Sequence, residues 1–443
     1  MRISKVWPLG LLCWLVGGSL ALGQTSQPAL HRCATDERER LLRERNPLRS
    51  TQFQRLNQLV DSHLEKAVFG QPNGRIGETV YRIPVVVHVI HSNASGVIGG
   101  PDNPNISEEQ IKSQIRVLNE DYRRLPGTRG FNDNPVGADT GIEFFLAQVD
   151  PSGKPTNGIT RHFYTRQTTF DVYDDDLLLS QIAYWPSDRY LNIWVAPLAS
   201  RSGTEYLGYS QFPTAPITPF EAESDERTDG VMIDYRTFGS EIGTVNQRPA
   251  YRLGRSTTHE VAHWLGLLHT WGDAFCGDDY CADTPPTESP NNTFECTERF
   301  SNCSGTRTRN QIENYLDYSP DACMNLFTRN QRARMRAILE VSPRRKRLIQ
   351  SVNPLPQPEA LTVNLYPNPT SDVATLEVFF SGFRSFSVTV YDLLGRQYRN
   401  LQYADYPSTS LTIPVRSLPN GLYLVKVLAG SETVTRRLLI QGK

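Results

Sequence analysis

The residues best placed to do chemistry lie in one stretch, Thr258-His259-Glu260-Val261-Ala262-His263-Trp264-Leu265-Gly266-Leu267-Leu268-His269. His259 and His263 are four residues apart, so on a helix they share one face and can grip a single ion. Glu260 follows the first of them, where its carboxylate can reach a water on that ion without binding the ion itself. Gly266 allows the helix to end in a left-handed turn that a side chain would resist, and the chain then swings His269 in as a third ligand. Three neutral imidazoles leave a zinc ion its full charge and one open position. Such an ion brings the pKa of a bound water to about 7. The pattern predicts metal-assisted hydrolysis, with Glu260 as general base.

These residues need a helix beginning near Ser256 or Thr257 and a sheet to hold it. Tyr81 to Ile90 is β-branched and almost continuously apolar, as in a buried strand. An amphipathic helix follows, with Ser107 and Gln110 as a capping box and Ile111, Ile115, Leu118 and Tyr122 on one face. Further strands are expected over 141–149, 191–197 and 230–235. Strands first and an active-site helix after them imply an α/β lobe built on a twisted sheet. Beyond a Pro-rich linker at 351–360, short alternating segments at 361–366, 373–380, 384–392, 421–429 and 432–440 predict a small C-terminal β-sandwich. The basic run Arg344-Arg345-Lys346-Arg347 reads as a solvated helix end or a processing point.

The ends of the chain say where it works. Arg2 and Lys5 precede an apolar stretch from Val6 to Leu22, with small residues at Ala21-Leu22-Gly23, so 1–23 reads as a secretory signal. The rival, a membrane anchor, is disfavoured by Pro8, Gly10, Gly17 and Gly18. Residues 24–75 are polar and helical in pattern, with no strong strand, and read as a pro-segment; an N-terminal helical extension is the alternative. The catalytic region then covers 76–350 and the terminal sandwich 361–443. A formal net charge of -1 offers no basic excess for nucleic acid or anionic membrane. Cys276, Cys281, Cys296, Cys303 and Cys323 cluster as disulfides would in an exported chain, and since five is odd at least one stays free or pairs elsewhere.

The extended histidine motif resembles the metzincin zinc proteases. Together with Asp283-Thr284-Pro285 and the segment from Asn314 to Met324, it is similar to the pappalysin family. This resemblance implies an α+β, two-lobed catalytic domain with a twisted mixed sheet, an active-site helix and zinc at the floor of a cleft. It implies that Tyr318 stabilises the oxyanion, and that Leu316 stands where the family carries a Met under the metal, an exchange of similar volume. It implies disulfides Cys276–Cys303 and Cys296–Cys323, with Cys281 left over. It makes calcium expected at Asp278, Asp279, Asp283 and Thr284, which offer hard oxygen ligands in one loop; an ordinary acidic turn is the bland reading. Cys33, alone in His31-Arg32-Cys33-Ala34-Thr35, resembles a cysteine switch, a thiolate occupying the water's place on zinc until the pro-segment is removed. Some family members favour Arg after the scissile bond, and Asp321 and Met324 lie in the segment expected to line that pocket.

Leu365-Tyr366-Pro367-Asn368-Pro369, Val390 to Arg396 and Leu418 to Leu424 resemble the C-terminal sorting domain of type IX secretion. That implies a secreted or cell-surface protein that meets an outer-membrane secretion machinery. The combined expectation is a secreted, monomeric zinc metalloendopeptidase, made as a zymogen and acting on proteins or peptides. The alternatives are a secreted binding or adhesion protein with an inactive protease lobe, which would show a broken ligand set, and a zinc amidase of cell-wall peptides.

Overall fold

The computed structural model describes residues 30–70, 79–200, 203–215, 226–351, 360–380, 384–406 and 409–442. The signal-peptide reading lies outside them. The chain enters on a short strand, β1 (Leu30–Cys33), and two helices, α1 (Thr35–Arg45) and α2 (Leu48–Gly70). The strand corrects the expectation of a strandless N-terminal segment. Leu30–Cys33 forms one because it lies parallel along the edge of a ready-made sheet.

That sheet is built from β2 (Tyr81–His91), β3 (Ile142–Leu146), β4 (Ile159–Phe163), β5 (Phe170–Asp171), β6 (Leu191–Ala196), β7 (Leu198–Ala199), β8 (Glu205–Ser210) and β9 (Gly230–Asp234). Its order is β3-β2-β6-β9-β8-β7-β5, with β4 also on β2 and β1 on β8. β2, β6 and β9 are parallel, whereas β8 runs antiparallel to β9. Between β2 and β3 lies α3 (Glu108–Tyr122), capped by the Ser107 hydroxyl, which accepts from Gln110 N at 3.1 Å. The Gln110 side chain does not close a capping box. It turns inward and donates to the Phe238 carbonyl at 2.7 Å and to Thr244 Oγ1 at 2.7 Å, tying the helix to the loop after β9. A further short helix, α4 (Asp176–Ile182), precedes β6.

The central helix, α5 (Arg255–Trp264), is buried throughout. It packs with α3 under the sheet, in a core that includes Val87, Ile193, Val231, Leu118, Val261 and Leu265. Polar groups fix its rotation: buried Asp121 of α3 pairs with Arg255 at 3.1 Å and accepts from Thr258 Oγ1 at 2.7 Å. After α5 the chain has little regular structure beyond a hairpin of β10 (Phe300–Ser301) and β11 (Thr308–Arg309). Disulfides Cys276–Cys303 and Cys296–Cys323 bridge this stretch, and Cys281 is free and buried. Two helices, α6 (Arg329–Val341) and α7 (Pro343–Gln350), close the region.

The basic run in α7 is neither solvated nor presented for cleavage at its start. Arg344 and Arg345 are 2% and 0% exposed. Both reach the buried Asp229 carboxylate at 2.7 Å, and Trp264 Nε1 donates to its other oxygen at 2.9 Å. The two guanidiniums hold Asp229 below the usual carboxylate range despite its burial.

The C-terminal part is a β-sandwich. One sheet has the order β12 (Thr362–Tyr366), β13 (Val373–Phe379), β16 (Thr409–Pro414); the other has β15 (Gln397–Tyr406), β14 (Arg384–Asp392), β17 (Gly421–Ala429), β18 (Glu432–Ile440). Alternating residues such as Val363, Leu376, Val388, Val425 and Leu438 meet between them. Strands β15 and β16 escape the sequence pattern; β15 carries few aliphatic residues.

Candidate active site

Helix α5 presents His259 and His263 one turn apart. It stops where Gly266, at φ 85°, takes the left-handed turn; a Cβ there would meet Ile338 Cγ1 at 2.8 Å. The chain then returns His269 to the same spot. The three Nε2 atoms are 3.0, 3.1 and 3.2 Å apart. Each Nδ1–H faces an acceptor: Tyr315 O at 2.6 Å for His259, Leu267 O at 2.8 Å for His263, and Asp273 Oδ1 at 2.6 Å for His269. With Nδ1 donating, each Nε2 presents a lone pair. Three buried lone pairs converging with no donor among them repel one another unless a cation lies between. Zinc–nitrogen bonds of about 2.0–2.1 Å in a tetrahedron put the nitrogens about 3.3 Å apart, so the set fits zinc closely. Burial drives the His263 pKa down to about 3 and that of His269 to about 4, and that of His259 also falls well below its ordinary value, leaving neutral imidazoles.

Cys33 completes the cluster: its Sγ and the imidazole nitrogens of His259, His263 and His269 all lie within 4.8 Å of one another. Burial, with Glu260 next, pushes the thiol pKa up in the absence of an ion. Glu260 is fully buried. Its Oε2 accepts from Thr35 Oγ1 at 2.9 Å, and Oε1 is buried without a hydrogen-bond partner. Burial raises its pKa to about 8. Strand β8 passes directly over it, and a Cβ on Gly208 would meet Glu260 Cγ at 2.6 Å.

Tyr318 stands edge-on to His269 at 5.0 Å and to Trp271 at 4.9 Å, and Trp271 stacks on His269 at 4.3 Å. The Tyr318 hydroxyl donates to the Cys33 carbonyl at 3.4 Å. Leu316 and Met324 are both buried in the core beneath the site. One wall of the site carries Asp321, whose Oδ2 accepts from Leu253 N at 2.9 Å and Arg255 N at 3.2 Å. Its Oδ1 receives Arg32 Nη2 at 2.9 Å, and Arg32 Nη1 donates to Ser319 O at 2.7 Å. The remaining predicted site residues stand apart. Asp279 turns its carboxylate onto Thr284 Oγ1 and Cys281 N, and Asp278 accepts from Tyr280 N. Asp283 Oδ2 accepts from Asn330 N, and Oδ1 is buried without a partner. Among the described residues these three carboxylates do not gather as a ligand cluster.

Comparison with known proteins gives the same reading. Residues 172–340 match the family described as pregnancy-associated plasma protein-A, and residues 364–441 match the secretion system C-terminal sorting domain. An extracellular metalloprotease of Colletotrichum graminicola is 30% identical over 277 residues, 61% of this chain and 83% of that protein. The chain belongs to the pappalysin family. Among solved structures, promirolysin of Tannerella forsythia, in a mutant form, gives a TM-score of 0.57 at 34% identity, over 72% of this chain and 97% of that one. Mature mirolysin in complex with a cleaved peptide gives 0.50 at 38% identity, over 61% and 96%.

This pappalysin is therefore a secreted or cell-surface metalloprotease, with proteins as substrates and a type IX sorting domain that meets the secretion machinery. Its two disulfides staple the loop region that carries Asp321 and Tyr318. Several residues of the site were missed in the sequence. Asp273 follows His269 by four residues, and Arg32 and Thr35 flank Cys33, so proximity to flagged residues could have found them. Strand β8 gave no such signal, because Gly208 interrupts its pattern.

Proposed function

We propose that this protein is a zinc endopeptidase made as a latent precursor. Residues 1–23 act as signal, 24–75 as pro-segment, 76–350 as catalytic region, 351–360 as linker and 361–443 as sorting domain. The observation that carries the reading is the convergence of three neutral imidazoles, capped by a thiol from the N-terminal segment. The wider match to promirolysin than to the mature form, 72% against 61% of this chain, supports a pro-segment.

His259, His263 and His269 would hold the zinc, which when bound supplies Lewis-acid polarisation of the scissile carbonyl and a water acidic enough to react near neutral pH. Glu260 accepts the proton of the attacking water on Oε1 and returns it to the leaving amine. The hydroxyl of Tyr318, which now donates to the Cys33 carbonyl, donates instead to the substrate oxyanion. In the precursor Cys33 would be a further ligand to the zinc, and Thr35 holds Glu260 Oε2, which would keep both the water and the base from acting. Arg32 in front of Asp321 stands in for a substrate residue, which supports a preference for arginine beside the scissile bond. The partnerless Asp283 Oδ1 supports a calcium ion at that loop, in which Asp278, Asp279 and Thr284 would have to turn toward it. The working unit is taken as a monomer.

The test is casein cleavage by the chain freed of residues 24–75. Activity should vanish with a chelator and return with zinc. Stoichiometric zinc with no cleavage of any protein would contradict the reading and favour a binding protein.

A further inference from the structure

We infer that Asp176 and Tyr209 form a second cation-accepting pocket, across the metal ligands from Asp321, that holds a basic side chain of the substrate. The inference rests on the peptidase reading above. The pro-segment marks the pocket. Arg38, on α1, is 5% exposed although it is an arginine on a helix of charged residues. Its guanidinium pairs with the Asp176 carboxylate and lies 4.9 Å from the centroid of the Tyr209 ring. A carboxylate and an aromatic face together make a guanidinium site.

Both walls belong to the chain after residue 76, although Ala34 packs into the same cluster as Tyr209. Asp176 opens α4, where its Oδ1 accepts from Leu177 N at 2.7 Å. Tyr209 lies on β8, one residue beyond Gly208, and packs with Phe170, Val172 and Leu179. Asp174, beside them, pairs with Arg45 at 3.7 Å, so the field at this corner is negative over more than one residue. Removal of the pro-segment leaves these carboxylates without their arginines.

The position follows from the path of the chain. Arg32 sits at Asp321, Cys33 at the three histidines, Thr35 at Glu260 and Arg38 at Asp176. The two arginines therefore straddle the place where the scissile bond must lie. Three extended and three helical residues separate them by at most about 14 Å, a span that an extended substrate covers with about four residues. The preferred substrate carries one basic residue at Asp321 and another about four residues away, across the scissile bond.

The experiment uses enzyme matured from the full chain and quenched fluorescent peptides with Arg fixed at the Asp321 position. A second Arg, or Ala, is placed two to six residues away across the bond. Arg should raise kcat/KM roughly tenfold over Ala, mainly through KM, with a maximum near four. In Asp176→Asn that ratio should fall close to one. A ratio that is flat with position in the wild type, or a maximum that survives Asp176→Asn, would overturn the inference. Should the variant fail to fold, the wild-type position profile decides alone. If the wild type cleaved none of the peptides, the peptidase reading would fall, and the pocket's role with it.

Discussion

At the level of single residues, each group around the histidines has its own proposed task. Glu260→Ala should retain zinc and fold but lose at least about 10²-fold in kcat, the lower end of what a general base contributes. Normal turnover with zinc bound would exclude Glu260 as the base. Asp273→Asn tests a different property. The 2.6 Å contact from His269 Nδ1 to Asp273 fixes the imidazole's orientation and basicity. Its loss should weaken zinc binding roughly 10–100-fold, measured by competition with a chromogenic chelator. Unchanged affinity would leave Asp273 a packing residue. The convergence of the three histidines was legible in the sequence, because histidines at positions i and i+4 on one helix and a glycine-gated return are local features. The contacts of Asp321 with Arg32, and of Glu260 with Thr35, were not. They join residues more than two hundred positions apart, and no periodicity records them.

At the level of elements, the sheet and α5 must stay in fixed register for Glu260 to lie under β8. Gly208→Ala places a methyl group 2.6 Å from Glu260 Cγ and 2.9 Å from Ile233 Cδ1. Overpacking of this kind costs about 1–3 kcal/mol, and here it also displaces Glu260, the proposed base. The variant should lose more activity than its melting point suggests; full activity would show that the strand can move away freely. The Asp229 cluster clamps α7 to the end of α5. Asp229→Ala leaves Arg344 and Arg345 buried without their carboxylate and should cost about 3–5 kcal/mol in denaturant unfolding. A cost below about 1 kcal/mol would mean that water compensates them. His88 on β2 makes stability depend on pH. Burial lowers its pKa from 6.5 to about 3, while its nitrogens bond Thr160 and Asn192. The unfolded chain therefore binds a proton first as pH falls. The contribution is present in full above about 6.5 and is lost toward 3, at about 1.4 kcal/mol per unit. His88→Gln should flatten the stability curve over that window. The core strands were readable from their β-branched runs, whereas the basic run of α7 was misread because its partner, Asp229, lies far away in sequence.

Taken as a whole, the molecule joins an N-terminal segment, which we propose to be a plug, to a metalloprotease of the pappalysin family and a secretion sandwich. The sandwich also touches the catalytic region: Leu125 enters its core, and the Tyr406 hydroxyl donates to the Pro126 carbonyl. The C-terminal sandwich was legible because composition and strand alternation change after the Pro-rich linker. The path of the N-terminal segment was not, since Leu30–Cys33 becomes a strand only by joining β8. The proposed latency depends on all of this, and zinc K-edge X-ray absorption of the purified full chain tests it most directly. The account predicts three nitrogen scatterers at about 2.0–2.1 Å and one sulfur at about 2.3 Å, the sulfur disappearing as casein cleavage appears on loss of the pro-segment. A precursor whose zinc shows only nitrogen and oxygen scatterers would contradict it.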